Sequence, residues 1–191
     1  MAQLKMIHKF DNIQPARIPE GLSVRPFRSG EELIWVELCK NGLVSEDATI
    51  KAFEDAMLSQ KNLVPERDIF FFCDENDTPV ATICGFINDN GFGNVHMVAA
   101  SPVVKGRGVG LAMANFILAK LRRDLPGEGA LAVLTTDDWR VPAVVGYLRS
   151  GFHPVLYDTG MEERWRALCD KLNFHGIEML TETGEGTGII L

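Results

Sequence analysis

The chain reads as an α/β fold: one central mixed sheet, antiparallel in part and parallel in part, with helices flanking it. Three observations predict this. Apolar runs of strand length and segments of helical spacing follow one another in the order β α α β β β α β α β, with an extra helix and a tail at the end. The middle strands are separated by short turn-rich segments at 74–79 and 88–91, as hairpin partners are. The later strands alternate with helices, the connection that parallel neighbours need.

Each element has its own justification. Residues 1–21 hold no clear period and are interrupted by Pro15 and Pro19, so they read as an N-terminal arm that packs on the body or stays loose. Residues 22–27 (Leu-Ser-Val-Arg-Pro-Phe) read as the first strand. Ser29 with Glu32 three residues on has the capping-box pattern. Leu33, Val36 and Leu38 give the following helix an apolar side, and Gly42 closes it. Ile50, Phe53, Met57 and Leu58 share one face of a second helix over about 49–61. The run Ile69-Phe70-Phe71-Phe72-Cys73 is a core strand, 80–87 its hairpin partner, and 94–100 the next strand. Leu111 to Arg123 has helical spacing, 131–136 is strand-like, 142–149 helix-like, and 151–156 a further strand. Residues 161–172 form a final helix. The tail behind it, with Gly184, Gly186 and Gly188, precedes no helix and reads as flexible. The chain divides accordingly into an arm (1–21), a body (22–157) and a C-terminal helix and tail (158–191).

Composition narrows the function. The 191 residues suffice for one domain with its own core. Lys and Arg number 19 against 26 Asp and Glu, a net charge of −7. A general nucleic-acid binder needs a basic face, so that class is set aside apart from a local patch. No run reaches the roughly 18 apolar residues of a membrane span, and residues 1–14 lack the apolar core of an export signal. The expectation is a cytoplasmic protein without a membrane partner. The four cysteines, Cys39, Cys73, Cys84 and Cys169, form no CxxC pair, and the four histidines do not cluster with them. They read as buried free thiols, and no metal site is expected.

The most informative stretch is the strand end and turn from Val98 to Leu111. Three glycines, Gly106, Gly108 and Gly110, alternate just before an apolar helix. Such glycines let backbone approach a ligand closely, and the helix start offers free N–H groups with a positive dipole end, an anion site suited to phosphates. Lys105 and Arg107 add charge. A P-loop requires GxxxxGK[ST], which is absent. A dinucleotide fingerprint requires a third glycine where Leu111 stands. A tight strand-to-helix turn with no ligand fits the same glycines.

The segment Lys105-Gly106-Arg107-Gly108-Val109-Gly110 resembles the acyl-CoA loop [QR]-x-x-G-x-[GA] of the GCN5-related N-acetyltransferase (GNAT) superfamily, with Lys105 departing from the usual Gln or Arg. Two further segments carry the resemblance. Val95 to Pro102 is similar to the family's strand H-x-V-A-V-x-P. Residues 136–152, with Ala143, Tyr147, Gly151 and Phe152 in place, are similar to N-x-x-A-x-x-x-Y-x-x-x-G-F; Arg140 stands where Asn is commonest. The three segments fall in order, at the family's separations, within 22–157.

The resemblance implies transfer of an acetyl group from acetyl-CoA to an amine. It places the coenzyme on Val98, Ala99 and Ala100 of the strand, on Lys105, Gly106, Arg107, Gly108, Val109, Gly110 and Leu111 of the loop, and at Arg140 and Ala143. A backbone N–H near Val98 then faces the thioester oxygen. Strand alternation from 94 to 100 sets Asn94, His96, Val98 and Ala100 on one face. His96 is the candidate base, its imidazole suited to accepting a proton near neutral pH; a histidine merely hydrogen-bonded in the strand, with a water chain as base, fits equally. Tyr147 is the candidate acid for the departing thiolate, its phenol being protonated at neutral pH, with a packing aromatic as the alternative. Asp89, Asp137 and Asp138 are possible contacts for a cationic acceptor. The acceptor itself is not legible: a small amine, an amino acid or a protein amine all fit, as does a homodimer capped by the tail. Two other functions stay open, a coenzyme-binding module without catalysis and a structural domain that binds no nucleotide.

Overall fold

A computed structural model describes residues 2–191. The strands of its main sheet are β1 (Leu4–His8), β2 (Ser23–Pro26), β3 (Ile69–Cys73), β4 (Pro79–Ile87), β5 (Gly93–Ala100), β6 (Ala132–Thr136) and β7 (His153–Pro154). They lie in the order β2-β3-β4-β5-β6-β1-β7. Only β5 and β6 are parallel; the other neighbours are antiparallel. The mixed sheet follows from the connections: short turns join β3, β4 and β5, while the crossover from β5 to β6 carries helix α4 (Val109–Asp124). The remaining helices are α1 (Glu32–Cys39), α2 (Ile50–Phe53), α3 (Pro65–Asp68), α5 (Val141–Arg149) and α6 (Met161–Leu172).

Two cores sandwich the sheet. On one side Met6, Phe72, Ile83, Val95 and Leu134 of the sheet pack with Ile117 of α4, Val144 of α5 and Trp165 of α6. On the other, Phe27, Phe71, Cys84 and Phe86 pack with Trp35 of α1 and Phe53 of α2. Phe71 and Phe72 thus serve opposite faces, as a pleated strand requires. Trp35 meets Phe53 edge-on at 5.2 Å, and Phe53 stacks on Phe27 at 5.4 Å. A buried ion pair crosses the first core: the Lys120 ammonium of α4 donates to Asp68 and to the Gly85 carbonyl, both at 2.6 Å. Burial pushes the Asp68 carboxyl up, but its bonds from Arg67, Lys120 and the Val64 N–H outweigh this and hold it below the usual carboxylate range. The four cysteines are buried and unpaired, and desolvation raises every one of their thiols.

Several sequence expectations change. Residues 4–8, inside the segment read as an arm, form an inner strand, paired from Leu4↔Thr136 to His8↔Ala132. Both faces of β1 are covered, and a strand buried on both sides has no period of two to read. The rest of the arm runs along α4, where Phe10 lies under the Arg122 guanidinium. Ser29 does not cap α1. Its N-cap is Glu31, whose carboxylate instead accepts from the Arg28 N–H at 2.8 Å and pairs with Arg25. The second helix breaks: α2 passes after Phe53 into a π turn, Glu54–Leu58. β7 keeps only two residues. The tail is not irregular but a hairpin, β8 (Ile177–Leu180) with β9 (Gly186–Ile190), joined to the body by a parallel bridge from Val155 to Leu180.

Candidate active site

The site begins where the parallel pair fails. β5 and β6 pair only at Gly93↔Ala132 and Asn94↔Val133, then part. From Val95 onward β5 presents an unpaired main-chain edge to the gap. On its other side β5 carries one extra residue: Cys84 pairs with His96 and Thr82 with Ala99, so two steps on β4 match three on β5. Met97 takes up the excess with φ +49°, a left-handed conformation costly for a side-chain-bearing residue.

That bulge corrects the expected faces. Val95, Val98 and Ala100 pack toward α4, while Met97 and Ala99 pack toward α1 and α2. His96 goes with the second group. Its ring meets Phe86 edge-on, and its Nε2 lies 3.1 Å from the Ala56 carbonyl in the π turn. A carbonyl only accepts, so Nε2 carries the proton and Nδ1 the lone pair. Burial, partly opposed by this bond, lowers the His96 pKa below its ordinary value. His96 and Val98 therefore stand on opposite faces, because simple alternation stops at the bulge.

The loop stands at the open end, directly after β5. After β5 a 3-10 turn, Pro102–Val104, leads to Gly106 (φ +79°) and Gly108 (φ +78°), both left-handed. Gly108 caps α4 and offers no side chain. The Lys105 and Arg107 N–H groups are used internally, by the carbonyls of Pro102 and Val104. Those of Gly106 and Gly108 donate to nothing among the described residues. The N–H groups of Val109, Gly110 and Leu111 lie in the first helical turn, ahead of any helical acceptor. A Cβ at Gly106, Gly108 or Gly110 would meet nothing within 4 Å, so no neighbouring group packs over the Cα positions of the loop. Lys105 is exposed and has no ion pair among the described residues. The Arg107 guanidinium turns instead to the Glu20 carbonyl at 2.6 Å. Beside it a hollow of about 630 Å³ is lined by Glu20, Asp74 and Glu75 among others, an acidic surface unlike the loop.

Across the gap, α5 brings Tyr147 and Ala143 to one face, a turn apart. Tyr147 is 8% exposed and meets Phe152 edge-on. Burial raises its phenol to about 12, and its hydroxyl has no hydrogen-bond partner among the described residues. Arg140 begins α5. Its Nε donates to Asp137 at 3.0 Å, its Nη2 to the Gly42 carbonyl at 2.6 Å, and its guanidinium stacks on Trp139 at 4.3 Å. The other acidic candidates are occupied as well: Asp138 pairs with Arg164, and Asp89 accepts from Asn62 at 2.9 Å. The structure thus puts Val98, Ala100, Ala143 and Tyr147 with one core, on the α4 side of the sheet, and the loop glycines at the start of α4; it sets Ala99 and His96 on the α1–α2 side, and turns Arg107 and Arg140 toward protein carbonyls. The carbonyls of Gly42 and Ala56 were not foreseen; being main chain, they have no residue signature. Among the described residues no group of three or more His, Cys, Asp or Glu could hold a metal, and no helix is long and apolar enough to cross a membrane.

Comparison with known proteins places the fold. Solved structures with a similar fold include a GCN5-related N-acetyltransferase from Sphaerobacter thermophilus, with a TM-score of 0.66 and 22% identity over 80% of this chain and 48% of that one. Another is a GCN5-related N-acetyltransferase from Kribbella flavida, with a TM-score of 0.55 and 18% identity over 81% of this chain and 55% of that one. A third is an acetyltransferase of the GNAT family from Staphylococcus aureus, with a TM-score of 0.51 and 11% identity over 67% and 81%. The chain spans about half the length of the first two. At such identities the likeness is one of fold. A search of curated proteins finds no match. The acetyltransferase (GNAT) family model, however, matches residues 32–152, more than half of the sequence, and the chain belongs to that family.

Proposed function

We propose that this protein is an acetyl-CoA-dependent N-acetyltransferase that moves the acetyl group directly to a primary amine. Family membership supports acyltransferase activity in general. The observation that carries the finer reading is the parting of β5 from β6, with the vacant donors of the 106–111 loop at the open end.

Each residue then has a task. The amides of Gly106, Gly108, Val109, Gly110 and Leu111 hold the diphosphate of the coenzyme, and Lys105 adds positive charge. The free edge of β5 at Val98, Ala99 and Ala100 pairs with the pantetheine arm. A main-chain N–H near Val98 donates to the thioester oxygen, where negative charge gathers as the amine nitrogen bonds to the carbonyl carbon. Ala143 leaves room beside the thiol. Tyr147 donates its proton to the sulfur as the C–S bond breaks. The amine must shed a proton to attack. His96 is neutral, with a lone pair on Nδ1, and takes that proton through water.

Free-thiol release from acetyl-CoA against a broad amine panel, with hydrolysis controls, tests the reading. The expected result is amine-dependent release. Saturable acetyl-CoA binding with no release above hydrolysis would instead favour a coenzyme-binding module of the same fold. Lys105 and Arg140, both departing from the family pattern, are the observations on that side.

A further inference from the structure

We infer that Arg140 is a positioning residue: it straps the loop after α1 across the mouth of the cleft and so fixes the wall that holds the acceptor. The inference rests on the acetyl-transfer reading above. Once β5 and β6 part beyond Asn94↔Val133, no sheet hydrogen bond joins the two halves at the open end. α1 packs on β4 and β5 and belongs to one half. Arg140 follows β6 and belongs to the other. Its bond to the Gly42 carbonyl, 98 residues away in sequence, rejoins them.

The guanidinium is held on three sides, by Gly42, by Asp137 and by the face of Trp139. Gly42 meets it in a left-handed conformation (φ +100°) at the end of α1. The family's usual Asn at this position is several bonds shorter and could not span the same gap, so the strap is a property of this chain. A second tie reinforces it: His96 of β5 donates to the Ala56 carbonyl in the π turn. The segment from α1 to the π turn packs on the face of the sheet opposite α4; with the coenzyme on the α4 loop, that face is left to the acceptor. The segment is pinned through two of its main-chain oxygens by donors from β5 and from the residues after β6. Arg140 acts through that segment and touches no reacting atom.

The test uses the full chain with Arg140→Gln and the conservative Arg140→Lys. Calorimetric titration with acetyl-CoA reads the coenzyme side. Hydrogen–deuterium exchange over residues 40–48 reads the loop. Thiol release with spermidine, free lysine and an alanine-terminated peptide reads the acceptor side. In Arg140→Gln the acetyl-CoA Kd should stay within about twofold, loop exchange should quicken about tenfold, and KM for the best acceptor should rise about tenfold with kcat nearly unchanged. Arg140→Lys should restore part of that KM, since an ammonium still reaches a carbonyl. An acetyl-CoA Kd about tenfold weaker, with loop exchange unchanged, would overturn the inference and make Arg140 a coenzyme ligand. A fall in kcat with KM unchanged would overturn it too. Should the wild type bind acetyl-CoA yet release thiol with no acceptor, the transferase reading fails separately. Exchange and Kd then still decide the strap, and unchanged exchange rejects it.

Discussion

A phenol moved out of water holds its proton more tightly, and Tyr147 is nearly enclosed against Phe152. It should remain a proton donor throughout the neutral range. Tyr147→Phe is expected to lower kcat tenfold or more while the acetyl-CoA Kd holds. With the phenol near 12, the kcat/KM profile should show no descending limb from this group below about pH 10. His8 makes the opposite case. It is wholly buried, and its Nδ1 accepts the Phe10 N–H at 2.8 Å. Desolvation lowers its pKa to about 4, with Asp11 opposing and His153 assisting. A depressed histidine pKa means the fold favours the neutral ring. Stability from this group is therefore complete above pH 6.5 and is lost as pH falls toward 4, by about 3 kcal/mol in all. Urea midpoints across that range should fall in the wild type and flatten in His8→Gln. At this scale the placement of Tyr147 and Ala143 on one helix, and of the glycines at a helix start, was legible because spacing carries it. The face of His96 was not, since one left-handed residue, Met97, reverses the alternation. The partners of Arg140 and His96 are main-chain carbonyls, which no residue pattern marks.

Among the elements, the proposed transfer rests on the turn into α4. Gly108 caps the helix at φ +78°, where an L side chain costs about 1–2 kcal/mol. Gly108→Ala should displace the amides that follow and weaken acetyl-CoA binding about tenfold, measured by calorimetry, with little change in the fold. The same helix is anchored at its middle by Lys120. Lys120→Met leaves Asp68 buried with Arg67 and the Val64 N–H as its remaining donors, and should destabilise by about 3 kcal/mol in denaturant titration. Hairpins and amphipathic helices could be read from the sequence because their periods are local. β1 could not: Leu4, Met6 and Ile7 are all buried in an inner strand, so its apolar residues fall on both faces. The π turn was hidden for a related reason, because the apolar spacing of Phe53, Met57 and Leu58 fits an ordinary helix as well.

For the molecule as a whole, two halves of one sheet are joined at three levels. β5 and β6 pair at the closed end, α4 crosses between them, and Arg140 bridges the open end to Gly42. The order of strands β3 to β5 follows from short connections and could be anticipated. The insertion of β1 between β6 and β7 could not, because its pairing partners lie more than a hundred residues away. The proposed function lays a long, diphosphate-bearing thioester along the free edge of β5, with its diphosphate at the start of α4 and its sulfur toward the Tyr147 phenol. Calorimetric titration of the full chain with acetyl-CoA, alongside Gly108→Ala, tests this most directly. One-site binding that weakens about tenfold in the variant is the predicted result. No binding at millimolar acetyl-CoA, or equal binding by both proteins, would contradict it.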